Sequence, residues 1–306
     1  MTDTAKGFAA MIAACCIWGL SPLFYKSLSD VPATLVLSHR TIWSLVFFFL
    51  VLTAQRRLGA VLAAMAGWRA FGIILFASVM IGFNWLMFIW SIQNGHATEA
   101  ALGYYIFPLV AVLLGRVVFA ERLNHLQWTA VGLVALAVSL LTYGLGTAPW
   151  IALALAITFG LYGLVKKRLA VGPVVSVTAE VLLLTPLALG VLWQTGYNGE
   201  PIFGTSTRDL VLLVLCGPVT ATPLILFSYA ARRLSMASAG LLSYINPTLQ
   251  FFCAVVIFRE PFTGWHVLTF VLIWGALAFY SATTFRQDKA RRRAVIAAAA
   301  SGTAVT

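Results

Sequence analysis

Along the chain, unbroken apolar runs of roughly 20 residues alternate with short polar breaks. Ten runs stand out, over 7–26, 33–53, 70–92, 99–119, 126–143, 149–165, 174–194, 210–231, 235–258 and 265–284. A helix of about 20 residues rises about 30 Å, the thickness of a bilayer's hydrocarbon core. The runs are continuous and lack two-residue alternation, which excludes a β-barrel. The longest break, 194–209, is too short for an external domain. The pattern predicts an all-α membrane protein of ten transmembrane helices, working within the bilayer.

Two runs share an internal pattern. "ALGYYIFPLVAV" places Tyr105, Ile106 and Pro108 as "LLSYINPTLQFF" places Tyr244, Ile245 and Pro247, at an offset of 139 residues. The same offset pairs Phe88 with Phe227, Leu102 with Leu241, Phe119 with Phe258 and Glu121 with Glu260. An offset of 141 pairs Gly19 with Gly160, Lys26 with Lys167 and Pro32 with Pro173. The chain therefore divides into a five-helix unit over 1–146, a second over 147–285 and a basic tail over 286–306. Five is odd, so the second unit enters the membrane from the opposite side, the inverted-repeat plan of secondary transporters. A duplication of purely structural purpose is the rival reading.

Composition agrees: 61% of residues are hydrophobic, 9% are charged, and mean hydropathy is +0.94. No soluble domain of this length leaves so little charged surface. The net charge of +11 acquires meaning from its placement. With both termini cytoplasmic, the inner side holds Lys6, Arg56, Arg57, Arg69, Arg122, Lys166, Lys167, Arg168, Arg232, Arg233 and the tail residues Arg286, Lys289, Arg291, Arg292 and Arg293. The outer side holds Lys26, Arg208 and Arg259, while Arg40 and Arg116 fall within runs. This bias fixes an even helix count with both ends inside, and the tail lies against anionic lipid rather than nucleic acid. Cys15, Cys16, Cys216 and Cys253 lie within runs without CxxC or metal spacing, and read as small buried residues. The first run continues through "CIWGLSPLFY" and reads as a retained anchor rather than a cleaved leader.

Candidate chemistry is sparse. Pro108 and Pro247 occupy equivalent mid-run places and are candidate hinges, because a proline frees a backbone carbonyl that lipid cannot satisfy. Ionisable groups deep in helices are costly, and three stand out: His39 and Arg40 in the second run and Glu180 in the seventh. Glu180 is the repeat mate of His39. Each charge lies about 9 Å from its own surface, leaving about 12 Å of depth between Arg40 and Glu180. A direct ion pair, separate functional roles and independent hydrogen bonding all remain open. Among aromatic and amide side chains, Asn84, Trp85, Tyr105, Tyr244 and Asn246 are candidate substrate contacts. No Walker A, HExxH or GxSxG pattern points to an enzyme, and no metal or cofactor is expected.

Several stretches, "WGLSP", "LSHRTIWS", "FNWLMFIWSIQNGHATEAALGYYIFPL" and the Pro-then-Glu ends of runs 4 and 9, resemble the RarD group of EamA transporters, in the drug/metabolite transporter superfamily. The similarity covers about residues 7–285. It implies an inner-membrane permease exporting small metabolites, in a group associated with chloramphenicol sensitivity. Phe107 stands where an Asn is expected by analogy with Asn246, so the two halves of the site are chemically unequal. The expected activity is alternating-access transport of a small neutral, zwitterionic or anionic molecule, with protons as the candidate coupling ion. The rivals are a passive channel and a membrane-embedded enzyme subunit.

Overall fold

In hydrocarbon every backbone N–H and C=O needs a partner within the chain, and a helix supplies one locally for each. A computed structural model describes residues 3–120, 125–166, 169, 171–234 and 236–278, and each of the ten apolar runs is helical there. The helices are α1 (Asp3–Lys26), α2 (Ala33–Ala54), α3 (Gly59–Ala64), α4 (Trp68–Gln93), α5 (Ala97–Phe119), α6 (His125–Leu145), α7 (Trp150–Lys166), α8 (Pro173–Tyr197), α9 (Thr207–Ala231), α10 (Met236–Ser243) and α11 (Ile245–Phe252). A π-helical turn over Cys253–Ile257 continues α11, and α12 covers Gly264–Ala278. Among the described residues, eight helical segments are long and apolar enough to cross a bilayer: α1, α2, α4, α5, α6, α8, α9 and the composite Ser238–Ile257. The helices α7 and α12 are apolar but shorter. This is a multi-pass membrane protein. Of the sequence expectations, Glu121, Arg122, Lys167, Arg168 and the basic tail lie outside the described residues.

Two features depart from a plain reading of the runs. The short α3 occupies the break between the second and third. The ninth run is two helices, because α10 stops at Ser243 and α11 begins at Ile245. The cause is Pro247: its ring has no N–H to donate and collides with the carbonyl four residues back, which belongs to Ser243. Breaking the helix at Tyr244 puts Pro247 in the first turn of α11, where its missing donor costs nothing. Its counterpart Pro108 lies within an unbroken α5.

Large apolar side chains cover the outside of the bundle, Leu50 at 62% and Leu187 at 69% exposure among them, a surface suited to lipid rather than water. Trp68, Tyr143, Trp193 and Tyr197 are exposed near helix ends, where amphipathic rings favour the headgroup level. Inside, α2 packs between α8 and α9, α1 against α9 and α11, and α7 against α4 and α5. The α2–α9 approach depends on Gly217, since a Cβ there would lie 2.5 Å from the Trp43 carbonyl oxygen.

One end of the bundle is tied by polar contacts. Lys26 Nζ donates to the carbonyls of Ile92 and Gln93, both at 3.4 Å. Gln93 Nε2 donates to the carbonyls of Leu28 at 2.8 Å and Val31 at 3.0 Å. Glu260, just beyond the π turn, accepts from the Ala97 and Thr98 amides and the Thr98 hydroxyl, each at 2.7 Å. A carboxylate at the start of α5 also meets the positive end of the helix dipole. Beneath this clasp, Leu28, Val36, Ile89, Ile92, Leu155 and Leu213 form a buried apolar plug.

Candidate functional site

Beneath the plug the helices separate around a cavity of about 650 Å³, a volume suited to a small organic molecule. Its lining draws on α1 (Trp18, Tyr25), α2 (Arg40), α4 (Asn84, Trp85), α5 (Phe107, Pro108), α7 (Phe159, Tyr162, Lys166), α9 (Thr220) and the α10–α11 segment (Tyr244, Asn246, Pro247). The lining extends to Lys166 and Pro173, where α7 ends and α8 begins, at the end of the bundle opposite the clasp. Aromatic faces dominate the wall, and polar groups are few.

Arg40 projects from the buried face of α2 and is 7% exposed. Its guanidinium carbon lies 4.0 Å from the Trp85 ring centre and 5.5 Å from that of Tyr25, so two π faces offset part of the cost of burying the charge. Its Nε is buried without a hydrogen-bond partner. Among the described residues no carboxylate lies within ion-pairing distance of it.

Glu180 is fully buried and satisfied. One oxygen accepts from Lys166 Nζ at 2.6 Å and Ser176 Oγ at 2.8 Å, and the other accepts from Tyr162 Oη at 3.0 Å. Lys166 also donates to Ser176 Oγ at 2.7 Å. The Arg40–Glu180 pair left open by the sequence is not formed, since Glu180 is bonded to Lys166 and Arg40 is stacked on Trp85. Glu180 sits behind Lys166 and Tyr162, which line the cavity while its own carboxylate does not.

Asn84 reaches the wall, but its polar atoms are engaged. Nδ2 donates to the Leu155 carbonyl and Thr158 Oγ1, both at 3.0 Å, and Oδ1 accepts from Tyr104 Oη at 3.1 Å. It ties α4, α5 and α7 together. In the second half Asn246 Oδ1 accepts from Gln250 Nε2 at 2.9 Å. Phe107, 139 residues before Asn246 in the sequence, lines the same cavity and packs on Phe159 at 4.7 Å. The candidate hinges Pro108 and Pro247 also line it.

Two candidates lie elsewhere. His39 turns away from Arg40, its Nε2 2.9 Å from the Ile202 carbonyl and its ring against Phe203; successive residues on a helix point about 100° apart. Tyr105 bonds Thr248 Oγ1 at 2.8 Å and packs on Phe270 and Trp274, outside the lining. Lys166 as the partner of Glu180, and Tyr25 as a platform for Arg40, are contacts of the candidate site that the sequence reading missed. The first was readable: α7 and α8 join through a short connection, so Lys166 at the end of one faces Ser176 and Glu180 at the start of the next. The Tyr25 contact carries no comparable spacing signal. Among the described residues no group of three or more His, Cys, Asp or Glu is placed to hold a metal.

A helical bundle around a mixed aromatic and cationic cavity invites comparison with known carriers. The model of the EamA-like transporter family matches residues 5–143 and again 147–282. The chain belongs to that family. Similar EamA relatives include "Protein RarD" of Streptomyces exfoliatus, 40% identical over 93% of this chain and 90% of its own. "Protein RarD" of Escherichia coli is 36% identical over 91% of this chain and 94% of its own. "Chloramphenicol-sensitive protein RarD" of Pseudomonas aeruginosa is 31% identical over 95% of this chain and 99% of its own. A solved crystal structure shares the fold at a TM-score of 0.59 with 19% identity, over 90% of this chain and 96% of its own. This EamA member is accordingly a membrane transporter of the RarD group.

Proposed function

We propose that this protein is a secondary active exporter of a small organic molecule in the inner membrane, working by alternating access between two inverted five-helix halves. The observation that carries the reading is the cavity itself, walled by helices of both halves and plugged at one end. With both termini cytoplasmic, the plugged end is external and the cavity faces inward. Pro108 and Pro247, in equivalent places on its wall, serve as hinges, and the α10–α11 break beside Pro247 localises bending there.

Structural pairs support the inverted symmetry. Gly19 on α1 closes on Leu249, where a Cβ would lie 2.6 Å from the leucine Cβ; its repeat mate Gly160 closes on Leu114 and Val110, and Val110 is the mate of Leu249. Ala120 and Arg259, also 139 residues apart, both adopt left-handed backbone, with φ of 52° and 55°. Non-glycine residues rarely do so, and both mark the end of matched helical segments.

The reading is tested with a single cysteine at Phe107 in a variant lacking the four native cysteines. Membrane-impermeant maleimide should label it readily from the cytoplasmic face and slowly from the external face. Transport substrates should shift that ratio. Equal labelling from both faces, unaffected by any solute the cells export, would indicate a channel or an inert cavity.

A further inference from the structure

Resting on the transport reading, we infer that the Arg40 subsite binds a monovalent organic anion, a carboxylate carrying an aromatic or apolar body. Charge accounting around the cavity leads there. Arginine is cationic at any physiological pH. The groups around its guanidinium are the Trp85 indole, the Tyr25 and Tyr104 phenols and the Cys216 thiol, none anionic at neutral pH. His39, next in sequence, faces Ile202 and Phe203 instead. At the other end of the cavity the Lys166 charge is matched by Glu180. Among the described residues lining the cavity, one positive charge therefore remains, that of Arg40, buried against Trp85 and open to the cavity.

A buried cation without a counter-ion is costly. The π faces of Trp85 and Tyr25 recover part of that cost, but they accept only weakly from its N–H groups. A carboxylate supplies what is missing: two oxygens matching the guanidinium fork and one negative charge. A dianion would bring a second charge with no free cation to meet it. The rest of the wall, including Trp18, Phe107, Phe159, Phe227 and Tyr244, suits an apolar or aromatic body, and among the described residues it offers the ligand no free carboxylate for an ammonium group.

The test uses purified full-length protein in nanodiscs and matched probes: 3-phenylpropionate and hexanoate, each against its own amide, with phenyl phosphate as the dianion. Affinity is read from tryptophan fluorescence and thermal stabilisation. Each acid should bind the parent about tenfold tighter than its amide, the size of one lost charge-assisted contact. Arg40→Gln should abolish the preference, and Arg40→Lys should retain part of it. Equal affinity for acid and amide in both pairs, including no binding by either, overturns the assignment. So does an acid preference that survives in Arg40→Gln, or tighter binding of phenyl phosphate than of 3-phenylpropionate. Should Arg40→Gln fail to fold, Trp85→Leu, which removes the platform, is expected to reduce the acid preference, and an undiminished preference counts against the subsite. Failure of the transport reading is separable. Acid preference without side-dependent labelling of the Phe107→Cys protein keeps the anion site and removes the carrier, while side-dependent labelling without acid preference does the reverse.

Discussion

Glu260 offers the sharpest test of alternating access, because its carboxylate belongs to the second half of the chain and its three donors to the first. Glu260→Gln preserves size but replaces one oxygen with an amide that donates, setting N–H against N–H at the start of α5. The three bonds of 2.7 Å are charge-assisted, a class worth about 1.5–3 kcal/mol each when shielded. Glu260 is part-exposed and Gln keeps one acceptor, so a net loss of about 2 kcal/mol is the reasonable magnitude. That corresponds to about a thirtyfold shift toward the state open at the clasped end. While that state is minor, external maleimide labelling of the cavity cysteine at Phe107 rises in the same proportion. Asp209→Asn serves as control, since Asp209 accepts from the Thr205 and Ser206 amides at 3.2 Å within its own half, and should leave labelling near the parent rate. A Glu260→Gln protein that is folded and monodisperse but labels within about twofold of the parent would refute the clasp.

Other consequences can be checked independently. Gly217→Ala forces a methyl against the Trp43 backbone, which cannot yield as a flexible side chain would; α2 and α9 must separate, and the melting temperature in detergent should fall by several degrees. Asn84→Leu removes three interhelical bonds and leaves the Tyr104 hydroxyl short of an acceptor; at about 0.6 kcal/mol per bond in a membrane interior, unfolding by denaturant should show a loss of about 2 kcal/mol. Glu180→Gln releases Lys166 from its counter-charge, so the cavity gains a second free cation; nanodisc binding should shift toward phenylsuccinate relative to 3-phenylpropionate, and an unchanged ratio would count against charge accounting as the basis of selection.

The legible part of the fold was whatever hydrocarbon dictates. Backbone self-satisfaction makes each apolar run a helix, so helix positions follow from hydropathy alone. The break in the ninth run was half legible: Pro247 announces a disturbance, yet the same residue type at 108 leaves α5 intact, and surrounding packing decides between them. Candidate site residues were legible by rarity. Arg40, Glu180, Asn84 and Asn246 stood out because lipid tolerates so few polar groups, and three of the four reach the cavity wall. Side-chain direction was not legible. His39 and Arg40 differ by one residue and face opposite tasks, and Tyr105 and Tyr244 are repeat mates of which only the second lines the cavity. Glu180's partner, by contrast, was legible from loop length rather than periodicity, because the short connection between α7 and α8 sets Lys166 against the first turns of α8.

The repeat itself supplies a prediction stronger than any single contact. By the 139-residue offset, Glu121 is the counterpart of Glu260, as Phe107 is of Asn246. If the two halves exchange conformations during transport, the carboxylate that stabilises closure at one face has a counterpart that stabilises closure at the other. Removing each should then bias the equilibrium in opposite directions. Glu121→Gln is expected to slow external labelling of the Phe107→Cys protein, whereas Glu260→Gln accelerates it, and the double variant should return toward the parent rate because the two losses offset. Two structural carboxylates with no part in switching would behave differently: both variants would loosen the bundle, both would raise labelling or lower thermal stability, and the double variant would be the worst of the three. The sign of the Glu121→Gln effect therefore separates a duplicated scaffold from a duplicated gate, and it does so without knowledge of the substrate.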